Sequence, residues 1–409
     1  MRIAYVTDEA YPGFGGQATA TEAHVRALAD LGHELHVVVG RQRAQSEPPA
    51  GVRLSTLPVF PLGSLSHIAL PRKSVLVPVL DWADIVHINL PGPLAATTMR
   101  LARRRGLPVV MGLHIQEQNT SMHLLGPLRP ILEGILHRFY RRLFGEADCV
   151  TAPTAFAGRL AGSYAPPRIE VVSNGLDPFT EDPGFDEEVD TLRRELLAGG
   201  DDVVLTYVGR LYPEKHPEEL VALLAAARER GSKSVLAVAG RGPLSERMLE
   251  LARRAGVADH VRLLGFVQER RKRALLRATD VFLMPSEVEL QSIATMEAMS
   301  AGCPILTADY PTSAVPELVK ECGAGVAYPA GRPDRGAQIL MEMLADEGGM
   351  TRYRRAARVS AGSFELPAIG RRLAAIYEEL IAGRGTPGAA RRPRDRRFTR
   401  DEAPLPGRS

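Results

Sequence analysis

Two glutamates, Glu289 and Glu297, stand with seven residues between them in PSEVELQSIATMEAMSAGCP, the run from Pro285 to Pro304. The apolar run Val281-Phe282-Leu283-Met284 before them reads as a short buried strand, and Ser292 to Met299 has helical character, so the loop between opens at a helix N-terminus. Such an end presents unpaired N–H groups and a positive dipole, both suited to a phosphate. Glu289 then lies in the loop beside an anion site, and Glu297 more than a turn into the helix. One carboxylate can grip a group attached to the phosphate and the other a group on its far side. A second constellation, Gly209-Arg210-Leu211-Tyr212-Pro213-Glu214-Lys215, sets Arg210 at a strand end and Lys215 just before a helix that starts near Pro217. Two cations converging on a strand end can neutralise a diphosphate leaving group, Arg as a bidentate fork and Lys as a point charge. Alone, such a pair is more often a solvated surface feature; with two glutamates in the same half of the chain it reads as a site.

These residues need a scaffold that gathers strand ends. Arg2 to Thr7 is a β-rich run, followed by a turn cluster from Tyr11 to Gly16 and an apolar-periodic helix from Thr19 to Leu31. Strand-like runs at Leu35–Val39, Ile85–Asn89, Val109–Leu113, Cys149–Ala152 and Ile169–Ser173 mostly alternate with helical segments, which argues for a parallel sheet wound on both faces. Between Asn174 and Gly200 the pattern stops; Pro178, Pro183 and Gly184 fall among acidic residues, with a helical stub at Leu192–Leu197, and the linker is expected there. Strands then resume at Val203–Val208, Val235–Ala239, Val261–Leu264, Val281–Met284 and Ile305–Thr307. The fold class expected is α/β: two doubly wound Rossmann-like domains, 1–180 and 198–365, facing across a cleft into which the C-terminal strand ends of both sheets point. A helix at 366–382, ending before Gly383, is expected to pack back on the first domain. Residues 384–409, rich in Pro, Gly and Arg, read as a disordered basic tail.

Composition narrows the possibilities. The 409 residues, 45% hydrophobic and 24% charged, suit a globular protein of two domains. Met1 to Thr7 leads directly to Asp8 and Glu9 without a secretory apolar region, and no run approaches about 18 uninterrupted apolar residues. A cytoplasmic protein is expected, one that does not span the membrane. Cys149, Cys303 and Cys322 are odd in number and lack CxxC spacing, so they read as reduced core thiols rather than a disulfide framework or a zinc site. A net charge of +3 without an aromatic-basic pattern argues against a nucleic-acid partner.

The residues also carry a resemblance. GRLYPEK at 209–215, AGRGP at 239–243, LLGFV at 263–267 and PSEVELQSIATMEAMSAGCPILTAD at 285–309 resemble the motif series of retaining glycosyltransferases of family four, which have the GT-B fold. The first half is similar more loosely, through Gly15-Gly16, HINLPGPL at 87–94, His114 and SNGLD at 173–177. The resemblance implies that Glu289 holds hydroxyls of a donor sugar and Glu297 the ribose hydroxyls of its nucleotide. It implies that Arg210 and Lys215 stabilise the diphosphate, with the backbone N–H groups of Ile293 and Ala294, while the Phe266-Val267 backbone lies along the base. Gly16 would allow close approach of donor or acceptor, and His114 would face the sugar near the reacting carbon. The family's usual Gly-Phe-Gly after the first glutamate is here Leu290-Gln291-Ser292, a change expected to alter what faces the sugar, although Ser at a helix start still caps well. The ELQS form resembles the subset of the family that glycosylates lipids or small secondary acceptors.

The reaction implied is transfer of a hexosyl group from a UDP- or GDP-hexose to a lipid or other hydroxyl acceptor, with retention and without a metal or cofactor. The resemblance places no carboxylate opposite the leaving group, which favours same-face attack over a covalent intermediate. Rival readings are a nucleotide-sugar-binding protein without turnover, an epimerase or phosphorylase on a similar scaffold, and Glu287 with Glu289 as a metal-chelating pair. The acceptor side falls to the first half. There the segment 127–145 carries apolar residues at helical spacing with Arg129, Arg138, Arg141 and Arg142 around them, so it can either face the core or, with the basic tail, rest on an anionic membrane's inner face.

Overall fold

The computed structural model describes residues 1–10, 16–40, 48–62, 66–115, 129–177, 183–197 and 200–384. In the first half, β1 (Arg2–Val6), β2 (Glu34–Gly40) and β3 (Val52–Leu57) are followed by a small antiparallel pair, β4 (Val59–Leu62) and β5 (Ser66–Ala69). Next come β6 (Ile85–Ile88), β7 (Val109–Gly112), β8 (Cys149–Ala152) and β9 (Ile169–Val171). Seven of these strands form one parallel sheet in the order β3-β2-β1-β6-β7-β8-β9. The second half repeats the winding with β10 (Val203–Val208), β11 (Ser234–Ala239), β12 (Val261–Gly265), β13 (Val281–Met284), β14 (Ile305–Asp309) and β15 (Gly325–Pro329), ordered β12-β11-β10-β13-β14-β15. The central strands are apolar along their whole length because helices cover both faces: β6, β7, β8 and β13 are buried at every residue.

In each sheet the winding direction reverses once, between β1 and β6 in the first and between β10 and β13 in the second. A crevice opens at such a reversal, beyond the carboxyl ends of the strands. Gly16 follows β1, Arg210 and Lys215 follow β10, and the Glu289 loop follows β13, so these candidates sit at the two switch points.

Several elements depart from the sequence reading. The acidic stretch taken as linker holds the helix Phe185–Leu196, whose Phe185, Leu192 and Leu196 pack with Val204, Val235 and Ala274 of the second half. That unit's core therefore reaches back to 185 rather than starting at 198. The strands β3, β4, β5 and β15 went unread. The last helix runs Leu366–Arg384, past Gly383, because Arg384 bonds the Asp148 carboxylate (2.6 Å) and the Gly106 carbonyl (2.5 Å) of the first half. Its Ile369, Leu373, Ile376 and Tyr377 join Ile3, Tyr5, Val25 and Leu28 in one core, a burial of roughly 1.5–3 kcal/mol for each large side chain as an upper estimate. The basic tail beyond it lies outside the described residues. Cys149 and Cys303 are buried free thiols and Cys322 is a half-buried one.

The helix Arg129–Glu146 answers to neither sequence reading in full. Tyr140, Leu143 and Phe144 enter the first half's core, whereas Ile131 and Ile135 are 63% and 59% exposed, on the same side as Arg138 and Arg142. Among the described residues no helix is long and apolar enough to cross a membrane.

Candidate active site

Backbone contact fixes the Arg210 loop before any side chain does. A Cβ at Gly240 would stand 1.8 Å from the Gly209 carbonyl oxygen, and one at Gly242 2.2 Å from that of Leu211. Only glycine permits this, which accounts for the AGRGP motif: the turn after β11 lies directly against the turn after β10. Leu211 N–H donates to the Arg241 carbonyl (3.0 Å) and Gly209 N–H to that of Ala239 (3.0 Å), completing the clamp. Arg210 leaves it with a side chain 53% exposed, held lightly by Glu214 (3.2 Å) and over the Tyr212 ring (5.1 Å). Beneath it Tyr207, fully buried, donates its hydroxyl to the Arg210 carbonyl (3.0 Å).

Lys215 ends a short 3-10 turn, Pro213–Lys215, and points across to the loop after β13. Its ammonium donates to Glu289 Oε1 (2.6 Å) and to the Val288 carbonyl (3.3 Å), and both side chains of the ion pair are largely buried. An ammonium has three protons, so one remains for a ligand. The neighbouring Glu287 takes the His216 ring instead (3.0 Å), and the two carboxylates of the acidic pair thus serve different partners. Among the described residues no three metal-ligating side chains converge.

The helix Ile293–Ala301 starts at Ser292, whose backbone adopts φ +68° and whose hydroxyl accepts from Thr295 N–H (3.3 Å). The cap takes that N–H and leaves those of Ile293 and Ala294 directed at the helix end. Facing it is Gly16, the first residue of the helix Gly16–Asp30; a Cβ there would stand 3.8 Å from Ile293 Cδ1. Two helix N-termini, one from each half, thus bring their positive ends to one gap.

Glu297 takes another partner, Lys272 (2.7 Å), which also holds Glu269 (2.8 Å). Burial pushes the Glu297 carboxyl above its ordinary value against the pull of Lys272. Burial also draws on Lys272, but Glu297 and Glu269 outweigh it and hold the ammonium above its usual range. Phe266, after β12, is 70% exposed, while Val267 packs inward beside Leu264.

In the first half the strand ends carry neutral groups. His24 donates from Nε2 to the Ser173 carbonyl (3.0 Å), so its Nδ1 accepts from the Tyr5 hydroxyl (3.1 Å). That ring is satisfied with one proton, and burial draws its pKa down to about 4. His114, 6.1 Å from it between ring centroids, has its Nε2 shut away from solvent, and burial with the neighbouring His24 draws its pKa down to about 3 against an opposing pull from Asn174. His87 stacks on Tyr5 at 4.6 Å, and the Tyr377 hydroxyl meets its Nδ1. Four buried polar atoms here lack a partner among the described residues: His87 Nε2, Asn89 Oδ1, His114 Nε2 and Asn174 Oδ1. Asn89 Oδ1 and His114 Nε2 both crowd the open side of Gly112.

The sequence reading had Gln291 altering what faces the sugar; instead it turns into the first half, where its amide meets Ser173 and Asn174. Lys272, Tyr207, His24 and His87 were not singled out beforehand. Of these His87 opens the HINLPGPL run, and His24 left a trace as a histidine on the buried face of an apolar-periodic helix with Thr21, Val25 and Leu28.

Comparison with known proteins follows the same two halves. The family model described as Glycosyltransferase Family 4 matches residues 14–178, and the one described as Glycosyl transferases group 1 matches residues 188–360. The GDP-mannose-dependent alpha-(1-6)-phosphatidylinositol monomannoside mannosyltransferase of Mycobacterium tuberculosis is 28% identical over 367 residues, covering 84% of this chain and 89% of its own. A GDP-mannose-dependent alpha-mannosyltransferase of Mycolicibacterium smegmatis is 26% identical, covering 94% and 99%. Anabaena HepE, crystallised with UDP, superposes with a TM-score of 0.70 at 17% identity, covering 93% of this chain and all of its own, a likeness of fold. With both family models in sequence and two sheets wound alike, the chain belongs to the group 1 glycosyltransferases of GT-B fold.

Proposed function

We propose that this glycosyltransferase moves a hexosyl group from a UDP- or GDP-hexose to a lipid or other hydroxyl acceptor, retaining the anomeric configuration and using no metal. The observation that carries the reading is the Lys215–Glu289 pair beside the start of the Ile293–Ala301 helix, opposite the start of the Gly16–Asp30 helix. A diphosphate in that gap would meet Arg210, the third ammonium proton of Lys215 and the N–H groups of Ile293 and Ala294. Glu289, braced by Lys215, then has an oxygen left for sugar hydroxyls, and Glu297, braced by Lys272, one for the ribose. The Phe266-Val267 backbone would border the base.

His114 is neutral at physiological pH, so its part is to hydrogen-bond the sugar through the unpartnered Nε2 rather than to hold charge. No side chain need take the acceptor's proton: as the glycosidic bond breaks, negative charge gathers on the departing phosphate oxygen, and the acceptor hydroxyl, attacking the same face, gives its proton to that oxygen. The cations lower the energy of this charge-separated state, which accounts for most of the rate.

The relatives named for GDP-mannose favour a GDP-hexose, and a phosphatidylinositol mannoside acceptor in one of them favours a lipid. Exposed Ile131 and Ile135 above Arg138 and Arg142 suit peripheral contact with an anionic bilayer, the site of such an acceptor. Thermal-shift screening against UDP-, GDP- and ADP-sugars identifies the donor. Acceptor-dependent release of nucleoside diphosphate in the presence of chelator, with the product's anomeric coupling read by NMR, then tests the reaction. Binding without release under every acceptor tried would point to the non-catalytic reading.

A further inference from the structure

The Leu290-Gln291-Ser292 loop belongs to the second half by chain position and to the first by contact. Thr154 donates its hydroxyl to the Leu290 carbonyl (2.8 Å), and Leu290 packs on the first half's core. Gln291, 2% exposed, goes further: its Oε1 accepts from Asn174 N–H (2.8 Å) and its Nε2 donates to Ser173 Oγ (2.9 Å). A backbone N–H can only donate, so the orientation of this amide is fixed. Ser173 Oγ also accepts from Gly175 N–H (3.3 Å), and its own proton is turned to Met296 Sδ (3.6 Å) on the Ile293–Ala301 helix. Both lone pairs and the proton of that hydroxyl are therefore engaged.

The same segment is tied to the histidine cluster, because the Ser173 carbonyl accepts from His24 Nε2 (3.0 Å). One side chain thus joins the loop that carries Glu289 to the strand end that steadies the first half's polar cluster. The other polar links between the halves here include Arg159 with Glu317, an exposed pair open to screening by salt.

We propose that Gln291 is a positioning residue, a buried amide that sets the register of the two halves across the transfer gap. This rests on the glycosyl-transfer reading for its effect on rate, but not for its effect on shape. In an open arrangement water would satisfy the amide, Ser173 and Asn174 alike, so the link is one that can part and re-form.

The test compares the full-length protein with Gln291→Met, Gln291→Glu and the milder Ser173→Ala, each checked for folding by circular dichroism. Small-angle X-ray scattering should give a larger radius of gyration for Gln291→Met than for wild type. Calorimetric affinity for UDP or GDP should stay at the wild-type value, since the proposed nucleotide contacts lie in the second half, while kcat falls about tenfold to a hundredfold, as expected when reacting groups are misplaced. Gln291→Glu should fare no better, because an acceptor replaces the donor facing a saturated hydroxyl. Ser173→Ala should shift both readouts less, and combining it with Gln291→Met should add less than the sum. An unchanged radius of gyration in Gln291→Met, a normal kcat in Gln291→Glu, or a loss of nucleotide affinity in step with kcat would each overturn the proposal. If wild type transfers no sugar, the functional reading fails while scattering still decides the register.

Discussion

The two sheets are wound alike yet equip their crevice-facing ends in opposite ways. After β10 and β13 the second half sets out ions: Arg210 with Glu214, Lys215 with Glu289, and Lys272 with Glu297. At the ends of β1, β6 and β7 the first half sets out neutral groups, His24, His87 and Asn89 buried and His114 half-buried, several with an unused polar atom. A braced charge keeps its ionisation state while a charged ligand arrives, which suits a diphosphate. Neutral donors and acceptors sort hydroxyls without imposing a charge, which suits sugar or acceptor. On the proposed function, one topology would serve two recognition tasks through the side chains at its switch points.

The sharpest way to break this comparison is to discharge the second half. Arg210→Ala should lower turnover by about 10²–10³-fold with little change in stability, since the guanidinium is half-exposed and loosely held. Lys215→Ala should match that fall and also destabilise by about 3 kcal/mol, because Glu289 is left largely buried without its partner. Steady-state kinetics beside denaturant unfolding separates the two, and a near-normal rate in Arg210→Ala would end the leaving-group assignment. The next effect belongs to the first half and concerns pH. Unfolded imidazoles titrate near 6.5, whereas folded His24 does so at about 4 and His114 at about 3. Below pH 6.5 the unfolded chain binds protons that the folded one refuses. Stability from these rings is therefore whole above 6.5 and lost as pH falls toward 4 and then 3, by roughly 3 kcal/mol for His24 alone. Hydrogen exchange should show first-half strands losing protection with acid before second-half strands do; equal loss in both would remove the contrast.

Smaller effects sharpen the comparison at its edges. Ile131→Asp with Ile135→Asp should alter stability by no more than about 0.5 kcal/mol, since both side chains are exposed. The same pair should abolish co-sedimentation with anionic vesicles, in the full chain and in one ending at Arg384; unchanged sedimentation would transfer the membrane role elsewhere. Ser292→Gly should be the mildest. It relieves a left-handed backbone but forfeits the hydroxyl cap, two opposed terms of about 1 kcal/mol each, so unfolding should shift by less than about 1 kcal/mol.

Periodicity made the central strands legible, since a buried parallel strand is an unbroken apolar run; Val203–Val208 and Val281–Met284 match residue for residue. The edges were harder. Strand β15, Gly-Val-Ala-Tyr-Pro, begins and ends on residues that disfavour strands, and β3 mixes buried with half-exposed positions. The helix Phe185–Leu196 carried a usable spacing in Phe185, Val189, Leu192 and Leu196, which the flanking prolines and acidic residues obscured. At the site, the local motif around Glu289 was visible because its parts are neighbours in sequence. Lys272 and Glu297, or Gln291 and Ser173, meet only through tertiary packing, and no local pattern announces such pairs.

The helix Leu366–Arg384 closes the first half's core from the far end of the chain. During synthesis this orders events in time. Strands β1 to β9 leave the ribosome long before Ile369, Leu373 and Tyr377 exist to cover Ile3, Tyr5 and Leu28, and at about 5–20 residues per second that interval lasts roughly 10–40 s. The second half can fold as it emerges; the first must wait with an apolar face bare. The nascent chain should therefore engage chaperones through its earlier half, and release from them should follow the arrival of its last helix.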